Sequence, residues 1–177
     1  MVAASRTRLQ RFKARLLPIA LGGVGAIIAT LLLAAWLWRD GTPPLTREML
    51  ESAQARWQQA GVKDYALDVE IAGKRAGRVH LEVRGGEPTA MTRDGVTPAQ
   101  RRTWSAWTVD GMLDMMRMEL DAAENPEKGF GAAEGARLVQ RAQFDDALGY
   151  PLRYERIMLG TDHSLDIDWR VVRFEGR

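Results

Sequence analysis

Three hydrophobic periods succeed one another along the chain. Residues 16–38 read LLPIALGGVGAIIATLLLAAWLW, 23 positions without a charge, against the roughly 20 apolar residues that cross a ~30 Å hydrocarbon layer. That run predicts a transmembrane helix. It is longer than the roughly 7 to 15 residues of a signal-peptide core, and Leu33-Ala34-Ala35 is a poor cleavage site, so it reads as an uncleaved anchor. The period then becomes 3.6. Thr46 is placed as a helix N-cap, Leu45 and Leu50 as a hydrophobic staple, and Leu50, Ala53, Trp57 and Ala60 as the buried stripe of a helix closed by Gly61. After Gly61 the period is 2. Tyr65, Leu67, Val69 and Ile71 alternate with Asp68 and Glu70, and Val79, Leu81 and Val83 alternate with His80, Glu82 and Arg84. This predicts a half-buried antiparallel hairpin, and Arg84-Gly85-Gly86 turns it into a third strand near 87–92.

A second helix is expected from the N-cap Thr108, with Trp107 and Met112 as its staple and Met112, Met115, Met116 and Leu120 as its apolar face, ending near Ala123. Residues 124–135, with Asn-Pro and several glycines, form a long loop. Three further strands follow over about 136–144, 152–159 and 165–174, and a change of parity near Val171 predicts a bulge in the last. The order α-β-β-β-α-β-β-β implies an α+β fold: an N-terminal transmembrane helix, then a mainly antiparallel sheet of about six strands with two helices packed on one face. The corresponding segments are a basic tail at 1–15, the span at 16–38, a short linker at 39–44 and the α+β domain at 45–177.

Charge changes this picture in one respect. The chain has 25 basic and 23 acidic residues, net +2, which on its face suggests an anionic partner. Six of the basic residues and a single acid lie in the first forty positions, leaving 19 basic and 22 acidic beyond them. The basicity belongs to the tail, and nucleic acid is not an expected partner. Five basic residues and no acid precede the span, which keeps the N-terminus cytoplasmic and exports the domain, placing the protein in a bacterial cytoplasmic (inner) membrane with the lipid bilayer as its first partner. Within the span, Gly22, Ala26, Thr30 and Ala34 recur every fourth position, a face suited to close helix packing and hence to a homodimer, although small residues are also common in such helices. Cysteine is absent, which excludes disulfides, thiolate metal sites and a lipidated cysteine.

Several short motifs stand in order: Trp57 then Asp64-Tyr65, Val83-Arg84-Gly85-Gly86, Thr108-Val109-Asp110-Gly111-Met112, and Phe144-Asp145 leading to Gly149-Tyr150-Pro151. Together they resemble a family of small bacterial envelope domains of unknown function, membrane-anchored or lipoproteins. The resemblance spans about 45–174 and implies a fold and a location but no catalytic residues.

Candidate chemistry is sparse. The two histidines, His80 and His163, are far apart and lack a zinc-binding spacing, and Asp162-His163-Ser164 is a turn, because consecutive side chains cannot pass a proton along one line. Asp162, Asp166 and Asp168 lack the glycine and terminal glutamate of a calcium loop. No catalytic, cofactor or metal site is assigned. Arg101, Arg102 and Trp104 are the candidate interaction surface, with Trp104 alternatively capping the core. The leading expectation is a non-enzymatic module that binds an envelope protein, peptide or cell-wall ligand near the membrane. Its rivals are a carboxylate-dependent hydrolase of an envelope polymer and a scaffold acting through its membrane helix. The two carboxylates of such a hydrolase are recognised by their separation in space, which spacing along the chain does not give.

Overall fold

The structure is a computed structural model and describes residues 41–124, 137–160 and 166–176. Its elements are α1 (Arg47–Ala60), β1 (Tyr65–Ile71), β2 (Gly77–Arg84), β3 (Glu87–Arg93), α2 (Val109–Glu124), β4 (Arg137–Phe144), β5 (Pro151–Leu159) and β6 (Ile167–Gly176). Two single-turn 3₁₀ helices, Arg101–Thr103 and Ser105–Trp107, lead into α2.

The expected fold class is corrected at its N-terminal end. Among the described residues no helix is long and apolar enough to cross a membrane. The longest, α2, has 16 residues, about 24 Å at 1.5 Å per residue, and exposes a polar face, whereas a span needs about 30 Å of apolar helix. Residues 16–38, on which the transmembrane expectation rests, lie outside the described residues. The supported fold is therefore the sheet domain, and a single-pass, signal-anchored membrane description has no support within it.

Six strands form one sheet in the order β3-β2-β1-β6-β5-β4, every neighbouring pair antiparallel. Two three-strand meanders thus meet at the β1/β6 seam, and α2 carries the chain from the β3 edge to the β4 edge. On β6, Val171 faces Val69 and Arg173 faces Asp68, leaving Val172 as the extra residue of a bulge. Because side chains alternate in a strand, Tyr65, Leu67 and Val69 share a face with Val79, Leu81, Val83 and Trp169, all of them buried. Both helices pack there: α1 contributes Leu50, Ala53 and Trp57, and α2 contributes Met112, Leu113 and Met116.

The helix ends are built as the sequence reads. Thr46 Oγ1 accepts from Met49 N at 3.2 Å, Thr108 Oγ1 accepts from Gly111 N at 3.0 Å, and Gly61 closes α1 in the left-handed conformation at φ 61°. Thr108→Ala should cost about 1 kcal/mol, readable as a lowered midpoint in urea.

Residues 42–45 belong to the sheet domain and not to a free linker. Ala142 N donates to Pro43 O at 3.1 Å and Leu45 N to Gln140 O at 2.9 Å, so this segment lies along the outer edge of β4. Thr42 is buried.

Candidate functional site

The motif residues prove to be the joints of the fold. Trp57 Nε1 donates to Asp110 Oδ1 at 3.1 Å, and Tyr65 OH accepts from Val109 N at 3.0 Å, which ties α1 and β1 to the first turn of α2. Burial pushes the Tyr65 phenol up to about 12, so it stays a neutral partner. Asp64 Oδ1 accepts from Gly85 N at 2.6 Å, and Gly85 and Gly86 take φ of 59° and 85° to turn the β2–β3 hairpin. Tyr150 stacks on Phe174 at 4.2 Å between ring centroids. These residues hold helices, strands and turns together.

Of the residues singled out beforehand, Trp104 is buried at 4% exposure, with the Arg101 guanidinium 5.3 Å from its ring centroid. Arg101 and Arg102 are exposed. The stretch therefore presents two cations around a core tryptophan, while the half-buried aromatic of the segment is Trp107. Gly22, Ala26, Thr30, Ala34 and His163 lie outside the described residues.

The open face of the sheet is a lattice of charges. Asp68 is its one buried carboxylate among the described residues, at 6% exposure. His80 Nδ1 lies 2.7 Å from Asp68 Oδ1, Arg78 Nη2 donates to Oδ2 at 3.1 Å, and Arg173 stands opposite on β6. Burial alone would raise the Asp68 pKa, but the hydrogen bonds from His80 and Arg78, with their charges, overcome this and hold it below the ordinary range. A carboxyl so held is an anion near neutral pH and no proton donor. A depressed pKa stabilises the fold above the unfolded-state value near 3.9, and that stabilisation is lost as pH falls through the folded-state value. Asp68→Asn should flatten the fall of the thermal midpoint as pH is lowered below about 4, since it removes the group whose protonation costs the folded state stability there.

The candidate site is a groove of about 680 Å³ between α1 and the β4–β5 hairpin. One wall is a helical stripe of Glu48, Met49, Ser52 and Arg56; the other is formed by Phe144, Asp146 and neighbouring hairpin residues. Spacing of three and four puts the first set on one side of α1, next to its buried stripe. The hairpin is pinned against the helix by Gly149, at φ 80°, where an added Cβ would overlap the carbonyl oxygen of Ala53. Asp145 organises the turn, accepting from Ala147 N at 3.0 Å and Leu148 N at 2.7 Å. Its carboxylate is thereby committed, and the acids left to a ligand are Asp146 and Glu48, both exposed. Arg56 Nη1 donates to Ser52 Oγ at 2.7 Å, whereas its Nε is shielded from solvent without a partner. Arg56 lines the groove, and a guanidinium there is a donor suited to a carbonyl or carboxylate. Sequence reasoning missed the groove because its walls come from segments about ninety residues apart; the one local signal is the polar i, i+4, i+8 series 48, 52, 56 with an apolar Met49 beside it.

Comparison with known protein families, curated proteins and solved structures finds no match to this chain.

Proposed function

We propose that the domain is a binding module whose groove between α1 and the β4–β5 hairpin takes an extended peptide segment. The observation that carries this reading is the groove itself: its 680 Å³ falls among ligand pockets of about 300–1,000 Å³, and it combines apolar wall with the guanidinium-bearing side chain of Arg56. The edge of β4 supports a peptide in particular. That edge already accepts one added strand, residues 42–45, through two backbone hydrogen bonds, and Pro43 and Gln143 place the groove at the end of that pairing. An extended segment continuing along it would use the same backbone chemistry, with side chains seated against Met49 and Phe144. A binding role also agrees with Asp68, the one buried open-face carboxylate among the described residues, whose lowered pKa does not suit it to the part of general acid.

Selection of random linear peptides against the full chain tests the reading. Selected peptides should lose at least about tenfold in affinity on Arg56→Glu, since a hydrogen bond to a charged group is worth about 1.5–3 kcal/mol, and keep it on Arg84→Glu at the far hairpin. Peptides indifferent to Arg56→Glu and to Met49→Glu would overturn it.

A further inference from the structure

A second, smaller pocket of about 160 Å³ opens at the opposite end of the helix-covered face. Its floor and walls include Trp107, Trp169, Ile71 and Ile167, and three arginines ring it: Arg75, Arg93 and Arg156. The three differ in what they already hold. Arg156, the most buried, is paired with the buried carboxylate of Glu119. Arg93 donates through Nη2 to the Arg75 carbonyl at 2.9 Å, which fixes the β3 end to the Gly73–Arg75 turn, and its Nε is 4.0 Å from the exposed Asp94. Arg75 is exposed and has no ion-pair partner among the described residues. The acid lining the pocket, Asp166, accepts from Met158 N at 2.8 Å. Arg75 therefore stands at the mouth of an apolar hollow with no ion-pair partner among the described residues, and Arg93 beside it has only its long, exposed contact with Asp94.

We propose that this pocket binds a small organic carboxylate, its acid group held by Arg75 and Arg93 and its apolar group lodged against Trp107 and Trp169. The volume sets the size of that group, because a cavity of about 150 Å³ is enough to admit benzene. The guanidinium forks set the charge and geometry, since paired N–H donors match the two oxygens of a carboxylate. The apolar floor separates this site from a simple anion patch: inorganic phosphate satisfies the arginines but leaves the tryptophans bare. A free aromatic acid and the C-terminal residue of a peptide carry the same two features. The site is independent of the α1 groove, with which it shares no residue.

Calorimetric titration of the full chain with 3-phenylpropionate, N-acetylphenylalanine, N-acetylphenylalaninamide and inorganic phosphate decides the matter. Both carboxylates should bind, the tighter of the two identifying free acid or chain terminus as the source, with the amide and phosphate each at least about tenfold weaker. Arg75→Gln lies on an exposed turn and should weaken the acids similarly without moving the thermal midpoint, and Arg93→Gln should do the same to binding. Trp107→Phe should weaken the acids and leave phosphate unchanged. Equal affinity for acid and amide, equal affinity for phosphate and the aromatic acids, or no effect of Arg75→Gln would each overturn the proposal.

Discussion

Glu119→Ala should destabilise the domain by about 3–5 kcal/mol, the range for removing one partner of a buried ion pair. Glu119 projects from α2 into the core at 2% exposure. It accepts hydrogen bonds from Tyr154 OH and Arg156 Nη1, and Tyr154 OH in turn accepts from Gln140 Nε2 at 2.8 Å. Burial, followed by the charge of Glu119, pushes the Tyr154 phenol well above its ordinary range, so it serves as a neutral donor. Truncation to alanine takes from Arg156, whose side chain is 14% exposed, the buried carboxylate it is paired with, and takes from Tyr154 the acceptor of its hydroxyl. The double variant Glu119→Leu/Arg156→Met should recover much of the loss, because replacing both partners removes the buried charges together. Urea unfolding followed by tryptophan fluorescence checks both; a single variant within 1 kcal/mol of the parent would mean that the network contributes little.

Gly111→Ala is expected to destabilise by about 1–3 kcal/mol or more, against the direction that helix propensity alone gives. Gly111 lies in the first turn of α2, where alanine ordinarily gains about 1 kcal/mol over glycine. Here the turn lies directly on the preceding 3₁₀ helix: an added Cβ would overlap the Ser105 carbonyl oxygen and stand 2.9 Å from Ser105 C and 3.0 Å from Ala106 Cα. Those are backbone atoms, so relief requires moving Ser105–Trp107 or the end of α2. Thr108, Val109 and Asp110 resist that shift through their bonds to Gly111, Tyr65 and Trp57. An unchanged or raised midpoint for Gly111→Ala would show that the segment yields freely.

How far the sequence reveals this fold depends on how local each signal is. Both N-caps, the Gly61 terminus, six strands and the bulge beside Val171 follow from neighbours within a few residues, and each is found within about two positions of its expected place. The seam between β1 and β6 joins residues about a hundred positions apart and has no local signature. Trp104 and Trp107 show the same limit on a smaller scale. The staple reading assigns Trp107 to the start of α2 and leaves Trp104 either in the interaction surface or capping the core. The 3₁₀ turns carry Trp104 into the core and leave Trp107 at the rim of a pocket. The ordered motifs from Trp57 to Pro151 supply bonds and ring contacts that hold neighbouring elements together, which makes them poor guides to function. The arginines that the present reading gives to ligands, Arg56 on one side and Arg75 and Arg93 on the other, fall in no motif, whereas Phe144 of the groove wall does.

The central claim, a peptide-binding groove along α1, is tested most directly by hydrogen–deuterium exchange on the full chain with and without a selected peptide. Slowed exchange confined to α1 around Met49 to Arg56 and to the hairpin around Phe144 to Leu148 is the expected result. Protection confined to the open face around Asp68 and His80, or absent from both groove walls, would contradict it.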